Sequence, residues 1–430
     1  MVVAEIKIWD QYVGAVLWDP RTGVASFEFE PGFSRNNWDI APLTMPISET
    51  RNGRKFSFPD LPTNTYYGLP GMLADSLPDK FGNQLIEVWL ATQGRQPDSM
   101  NPVERLCYMG KRGMGALEFH PATRIERGSS NNLEVSELVN LTQRAFRQKS
   151  DLKTNFTGAE AHALLDIIRV GTSAGGARAK AVIAINKHNI VKSGQVDVPE
   201  GYTHWLIKLD GISDEQLGDP KGYGRIEFAY YKMALDCGII MNECRLLEGN
   251  GRAHFMTRRF DRVENNQKLH MQTLCGLCHF DYNNPNAYAY EQAFQAMRSL
   301  RLPYTDAEQL FRRMIFNVLG QNNDDHTKNI SFLMNKTGQW SLSPAYDVTY
   351  AYNPSSFWLA QHQLSVNNKR EEITGKDILA VANQMNIKRA KEIIEQVRQV
   401  ISNWKEYATS SGIPESQIKA IGLMHPVNNF

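Results

Sequence analysis

An α+β chain, rich in strands over its first half and in helices over its second, is what the amino-acid sequence predicts. Three observations predict it. Short runs rich in Val, Ile, Phe and Trp open the chain (AEIKIW, VGAVLWD, VASFEFE) and are separated by turn residues. Apolar residues recur every three or four positions through the C-terminal part. Polar clusters mark the places where one pattern gives way to the other. At 430 residues the chain exceeds what one hydrophobic core ordinarily supports, so two or three packed units are expected. Its composition is that of a globular protein, 42% hydrophobic and 22% charged. The 47 basic and 46 acidic residues leave a net charge of +1, without the basic excess that a dedicated nucleic-acid binder carries to neutralise phosphates. Five cysteines, Cys107, Cys237, Cys244, Cys275 and Cys278, are too few and too scattered for a disulfide framework. The opening MVVAEIKIWDQY carries charge where a signal peptide needs an apolar run. No stretch approaches the roughly 20 apolar residues needed to cross a bilayer. A cytoplasmic location with no membrane partner is therefore expected.

Taken in order, the three opening strands lead into a loop region of Asn, Pro and Gly up to about Tyr67. From Gly71 the apolar spacing predicts a helix running to Gly94, and LCYMGKRGMGALEF, with three glycines, predicts a tight turn into a strand. Residues 1–122 read as one α+β unit, and the polar stretch 123–135 (TRIERGSSNNLEV) as a linker. Helices are expected at 136–149 and 158–169, followed by a glycine loop (GTSAGGARAK) and the strands AVIAI and THWLIKL. A helix from near Arg225 to Gly238 and the strand HFMTRRF close a second segment, 136–262. The last segment, 263–430, is largely helical: YEQAFQAMRSLR, DAEQLFRRMIFNVLG and RAKEIIEQVRQVISNWKEYA each carry a 3.6-residue apolar period. One hairpin interrupts it, ISFLM and WSLS joined by NKTG.

The strongest chemical signal lies around that hairpin, in QNNDDHTKNISFLMNKTGQWSLSPAYD. Asp324 and Asn329 stand five residues apart in a polar loop, and Asp347 follows eighteen residues after Asn329, past the second hairpin strand. Kinases use this order: a base Asp accepts a hydroxyl proton, while an Asn in the same loop and a later Asp hold Mg²⁺ against the phosphates of ATP. Any one of these residues alone reads more simply as a helix cap or an Asx-turn; the ordered set favours phosphoryl transfer. In THWLIKLDG, Trp205, Ile207 and Leu209 fall on one face and Lys208 on the other. Glu227, nineteen residues on and near the start of the next helix, suits the Lys–Glu pair that orients ATP phosphates, although a glutamate there also simply offsets the helix dipole. The glycine loop before AVIAI would let backbone N–H groups approach phosphates, but it is no Walker loop. Arg259, Phe260, Asp261 and Arg262 end a strand where a two-lobed enzyme would place its hinge; by itself the run reads as a surface salt-bridge cluster. Cys275-Gly276-Leu277-Cys278-His279 has the form of a haem-attachment motif, yet nothing marks the chain for export and no further zinc ligands stand nearby. The HExxH pattern of zinc proteases does not occur.

Together these segments resemble the HipA family of bacterial toxin kinases over nearly the whole chain. YYGLPGMLADSLPDKFGNQLI and YMGKRGMGALEF are similar to the family's N-terminal domain; SAGGARAK, HWLIKLDG, RRFDR, DDHTKN and PAYD follow in family order. The resemblance implies a two-lobed, protein-kinase-like fold, with residues 1–122 as the HipA-type N-terminal domain. Residues 136–262 would be the kinase core with the nucleotide loop, and 263–430 the helical lobe with the catalytic loop. It implies ATP and Mg²⁺ as cofactors, Asp324 as catalytic base, and Asn329 and Asp347 as magnesium ligands. Lys208 matches the phosphate-binding lysine. Gly175, Gly176, Ala177, Arg178, Ala179 and Lys180 match the nucleotide loop. Arg258, Arg259 and Phe260 match the adenine-contacting hinge, with a departure at Arg258, where many relatives carry Glu. His326, Thr327, Lys328 and Tyr346 match further nucleotide contacts. Ser173 matches the loop serine at which such kinases phosphorylate and inactivate themselves. The implied partner is a HipB-like helix-turn-helix antitoxin through which operator DNA is mainly reached, and the implied substrate is a protein, with aminoacyl-tRNA synthetases among those of the family. Two other readings compete: a kinase-shaped corepressor that binds antitoxin and DNA, and a small-metabolite kinase sharing the Asp-to-Asn spacing.

Overall fold

The computed structural model describes residues 2–122 apart from 79, 93 and 97, then 135 and 139, and 179–430 apart from 195–196, 212–221 and 250. The helices expected at 136–149 and 158–169, most of the 123–135 linker, and the glycine loop with Ser173, Gly175, Gly176, Ala177 and Arg178 lie outside the described residues. The chain divides into two compact units: Met1–Ala41, Met45–Lys221 and Arg245–Met271 form the first, and Pro42–Thr44, Gly222–Cys244 and Gln272–Phe430 the second.

The first unit holds two five-stranded sheets. Strands β1 (Val2–Ile8), β2 (Gln11–Asp19), β3 (Val24–Phe29), β4 (Lys55–Ser57) and β5 (Leu117–His120) line up antiparallel in the order β4-β3-β2-β1-β5. Alternation sets which face is buried: Ala4, Ile6 and Ile8 are covered while Glu5 faces water. Trp9 and Asp10 both take positive φ between the paired Ile8 and Gln11, the requirement of a type I′ hairpin turn. The helix expected from Gly71 to Gly94 is interrupted: it forms as Gly71–Ala74 and Lys80–Thr92, with Pro78 between them. Proline has no N–H to donate and excludes helical geometry from the residue before it. The turn expected around Cys107 begins as a helix, Pro102–Met109. Asn101 caps it reciprocally with Glu104, and Pro102 sits at its first position.

The second sheet comprises β6 (Lys180–Asn186), β7 (Val191–Ser193), β8 (Tyr202–Lys208), β9 (Cys244–Gly249) and β10 (Arg252–Arg258), in the order β7-β6-β8-β10-β9. Ala181, Ile183 and Ile185 of β6 and Trp205, Ile207 and Leu209 along β8 form an apolar face. It shares one core with Phe81, Leu85, Ile86 and Leu90 of helix Lys80–Thr92 and with Tyr108 and Met109. Each of the large aliphatic side chains and Phe81 contributes about 1.5–3 kcal/mol by leaving water.

In the second unit, helices Tyr223–Asp236, Tyr290–Ser299 and Tyr304–Leu319 form as their apolar periods predict. Tyr230, Phe311, Met314, Ile315 and Phe316 lie at the centre of its core. Helices Gly375–Met385, Ala390–Ser402, Trp404–Ser410 and Glu415–Gly422 complete the unit. The long helix expected from Arg389 breaks at Asn403, because Trp404 is buried and its indole donates to the carbonyl of Ile418 at 3.0 Å. β11 (His270–Thr273) leads into the short helix Leu274–Cys278, which Thr273 caps. Burial pushes the Cys278 thiol up to about 12, with Cys275 adding to the shift. β12 (Ser331–Met334) and β13 (Trp340–Leu342) form the expected hairpin. Among the described residues no helix is long and apolar enough to cross a membrane.

Candidate functional site

Helix Tyr304–Leu319 delivers the chain to the loop between Gly320 and Ile330. Gln321 turns with φ 51°, and residues Thr327–Asn329 form one turn of tight helix before β12. Asp324 keeps its carboxylate half in water, at 50% exposure, while its carbonyl accepts from Asn329 Nδ2 at 2.7 Å. That bond fixes the Asn329 amide by its nitrogen and leaves Oδ1, the only atom of the group able to ligate a cation, to face elsewhere. His326 accepts from the Asn329 N–H at 2.8 Å through its carbonyl, and its Nε2 lies 3.8 Å from Asp324 Oδ1. Thr327 Oγ1 donates to the carbonyl of Phe280 at 2.7 Å. The Lys328 ammonium lies over the ring of Tyr282 at 4.5 Å, and its carbonyl accepts from the Tyr346 hydroxyl at 2.6 Å. Tyr346 also bonds Ser331 Oγ. Asp347 sits at φ 53°, a left-handed conformation that costs a non-glycine residue about 1–3 kcal/mol and collects at functional sites. Its carbonyl accepts from Asn322 Nδ2 at 3.4 Å. The structure thus brings Asp324, His326, Thr327, Lys328, Asn329, Tyr346 and Asp347 onto one connected framework.

The sequence reading missed the residue on which that framework rests. Asp325, the neighbour of the half-buried Asp324, is buried. Its carboxylate accepts from Gln363 N at 2.7 Å, Tyr290 Oη at 2.8 Å, His362 Nδ1 at 3.0 Å and Leu364 N at 3.4 Å. Tyr290 Oη accepts from Asn317 Nδ2 at 2.9 Å, and Asn317 Oδ1 accepts from Asn322 Nδ2 at 2.9 Å. A hydrogen-bonded chain therefore runs from Asp325 through Tyr290, Asn317 and Asn322 to the Asp347 carbonyl. The signal available in the sequence was the doublet Asp324-Asp325, two adjacent carboxylates of which one could be turned inward.

In the first unit, Lys208 ends β8 directly across from Lys180 on β6, and the Leu209 N–H donates to the Ala179 carbonyl at 2.9 Å. The Lys208 ammonium lies 5.7 Å from the ring centre of Phe255, its partner on β10. Lys180 is 3% exposed, and no hydrogen bond or ion pair to its ammonium occurs among the described residues. Like charges directly opposed across a ladder destabilise it, and an anion beside them would relieve that. Glu227, buried in helix Tyr223–Asp236, belongs to the second unit.

Arg258 pairs with Trp205 at the end of β10, and the Arg259 N–H donates to the His204 carbonyl at 2.9 Å. The charges that follow form a buried cluster rather than a surface one. Arg259 clamps Asp261 through Nε at 2.8 Å and Nη2 at 2.6 Å, and Arg262 Nη1 approaches the same carboxylate at 2.5 Å. Burial pushes the Asp261 carboxyl up, but the two guanidiniums outweigh it and hold it well below the usual carboxylate range. The cluster also captures the loop after helix Pro102–Met109: Gly113 O accepts from both arginines, and Gly115 N donates to Asp261 at 2.8 Å. Gly115 has φ +77°, and a Cβ there would meet the Met271 nitrogen at 3.0 Å.

Comparison with known proteins divides the chain at a different place from its compact units. The family described as HipA N-terminal domain matches residues 4–120, and the family described as HipA-like C-terminal domain matches residues 172–404, more than half of the chain. Among solved structures, the chain is similar to one from the Shewanella oneidensis MR-1 toxin–antitoxin complex of HipA, HipB and operator DNA. The TM-score is 0.66 at 14% identity, covering 98% of this chain and 94% of that one. That likeness is one of fold, α+β and two-lobed. A looser one, at TM-score 0.36 and 12% identity, covers 59% of this chain and 91% of the Helicobacter pylori proinflammatory kinase CtkA. No curated protein sequence matches the chain.

Proposed function

The chain belongs to the HipA family, and from that premise we propose that it is an ATP-dependent serine/threonine protein kinase, the toxin of a HipBA-like toxin–antitoxin system. The observation that carries this reading is the division of labour in the catalytic loop. Asp324 presents a solvent-facing carboxylate, and the adjacent Asp325 pins the loop from inside. In the proposed reaction Asp324 accepts the proton of the substrate hydroxyl as its oxygen forms a bond to the γ-phosphorus. The bond to the bridging oxygen breaks, and ADP departs. Asn329 Oδ1 and the Asp347 carboxylate are the proposed magnesium ligands; a hard cation takes oxygen donors of this kind, and when bound it offsets phosphate charge. No cluster of three His, Cys, Asp or Glu occurs among the described residues, so a cage built wholly from such ligands is not what supports the reading.

Lys208, with Lys180 opposite, is proposed to meet the ATP phosphates, and the 175–180 loop to cover them. Arg259 has both its N–H and its guanidinium engaged within its own unit, so its proposed adenine contact falls to its carbonyl, with Arg258 and Phe260 beside it. Ser173 is the proposed site of self-phosphorylation: a dianion there would repel the ATP phosphates. A HipB-like antitoxin is the proposed partner and the main route to operator DNA, a reading that the net charge of +1 supports. Phosphorylation of a protein such as an aminoacyl-tRNA synthetase would then arrest growth and favour persistence. The intact set Asp324, Asn329 and Asp347 weighs against a corepressor without catalysis.

Intact-mass spectrometry of unmodified protein after incubation with Mg²⁺-ATP tests the reading. A gain of one phosphate is expected in the wild type and none in Asp324→Ala. Equal gain in both, or none in either, would overturn it.

A further inference from the structure

Beyond Asp347 the chain runs twenty-one residues, from Val348 to Asn368, without an Asp, Glu, Lys or Arg, in a protein of which 22% is charged. At its centre two aromatic residues stand in water. Phe357 is 73% exposed and Trp358 41%, with their rings edge to face at 5.5 Å. Their backbone is fixed nonetheless. Ser356 Oγ accepts from the N–H groups of Trp358 and Leu359 at 3.2 and 3.3 Å, and the Gln363 amide donates to the Trp358 carbonyl. The segment is also fastened on alternate residues around Asp324. Gln321 O accepts from Ala351 N at 3.0 Å, Asn323 Nδ2 donates to Leu359 O at 3.1 Å, and Asp325 Oδ1 accepts from Gln363 N at 2.7 Å. An aromatic pair is therefore held on a rigid mount built from the residues that flank Asp324 in sequence.

We propose that Phe357 and Trp358 dock the polypeptide that carries the acceptor hydroxyl, by covering an apolar side chain close in sequence to the acceptor Ser or Thr. The proposal rests on the kinase reading of Asp324 and narrows its substrate class. A nucleotide or other polyanion would be met by cations, and a cationic metabolite by carboxylates; the segment has neither. An apolar side chain is complementary to it, and exposed Phe and Trp are the residue types that dominate the centres of protein interfaces.

The test uses the full chain and a library of Ser/Thr peptides with Mg²⁺-ATP, comparing wild type, Asp324→Ala and the double variant Phe357→Ser/Trp358→Ser. Peptides phosphorylated by the wild type should be enriched in an aliphatic or aromatic residue at a fixed offset from the acceptor. The double variant should lose that enrichment. Its KM for a preferred peptide should rise about ten-fold, while its KM for ATP stays within two-fold, about 0.4 kcal/mol. Phosphorylation without apolar enrichment, or enrichment that survives in the double variant, overturns the docking role alone. The docking role also falls if the wild type is a dimer that the double variant dissolves with its peptide selection intact, since the pair would then cover a second copy. No transfer by the wild type to any peptide, with no mass gain in Mg²⁺-ATP, overturns the kinase reading and the docking role with it.

Discussion

Replacing Asp325 by alanine should destabilise the second unit by about 3–5 kcal/mol, more than any change at the half-buried Asp324 beside it. Three of its four hydrogen bonds are 3.0 Å or shorter; the fourth, from Leu364 N at 3.4 Å, shares an oxygen with Gln363 and adds little. A hydrogen bond to a charged group contributes roughly 1.5–3 kcal/mol, so three would sum to about 4.5–9 kcal/mol, most of that range above the forecast. Removing the carboxylate also removes the cost of having buried it, which brings the net down to the range for breaking a buried charged network. Asp325→Asn keeps one acceptor oxygen but turns an N–H₂ towards a donor, and should cost about 1–3 kcal/mol. Tyr290→Phe, which deletes the hydroxyl that joins Asp325 to Asn317, should fall near the low end of that range. Urea unfolding followed by circular dichroism gives the ordering: Ala, then Asn, then Tyr290→Phe. An Asp325→Ala midpoint equivalent to less than about 0.5 kcal/mol of change, the ordinary scatter of surface substitutions, would refute the role assigned to the carboxylate.

Other outcomes follow from the same geometry. Asp324→Ala should abolish phosphoryl transfer while shifting stability by no more than about 0.5 kcal/mol, because the side chain stands half in water; a large drop in melting temperature would contradict this. Arg259→Ala should cost the first unit about 3–5 kcal/mol by leaving Asp261 buried with one guanidinium fewer, and a midpoint like the wild type in urea would count against the cluster. Lys208→Met should raise the KM for ATP more than it lowers kcat, if the ammonium meets phosphate in ground and transition states alike; an unchanged KM would remove that assignment. Burial pushes His270, His279 and His425 down to about 4. Below the unfolded value of about 6.5 the unfolded chain binds protons that the folded one refuses, so stability is full above 6.5 and falls as pH drops towards 4. The loss is up to about 1.4 kcal/mol per pH unit for each histidine. Equal unfolding midpoints at pH 7.5 and 5.5 would show these rings to be solvated.

What was legible in the sequence was what local pattern can carry. Ala4, Ile6 and Ile8 alternate with polar neighbours and so declare a strand; Leu310, Met314 and their neighbours declare a helix with one face inside. The stretch from Asp324 to Asn329 declared itself as a polar loop between a helix and a hairpin. Two helix errors had readable causes, since Pro78 interrupts one stretch and the Asn101, Pro102 and Glu104 signature opens another. Other features had no local signature. Asn403 breaks a helix because Trp404 finds Ile418, a contact with no periodicity to reveal it. The roles of Asp325 and of Arg259 depend on partners tens to more than a hundred residues away, Tyr290 and His362 for one and Gly113 for the other. A buried carboxylate and a solvated one are the same letter.

The clamp that Arg259, Asp261 and Arg262 place on Gly113 and Gly115, with the core shared by helix Lys80–Thr92 and strands β6 and β8, bears on how such genes can be recombined. Two families meet in this chain, and their border suggests cassettes that selection could exchange. The physical border lies elsewhere. A graft that imports a foreign N-terminal cassette must bring a glycine able to stand where Gly115 stands, and apolar side chains that fit the back of β6 and β8. Without them the recipient keeps two arginines and an aspartate arranged around an empty seat. Heredity in this architecture is therefore expected to run in whole chains, with crossovers surviving only between parents whose loop at 111–115 and strand end at 258–262 already match.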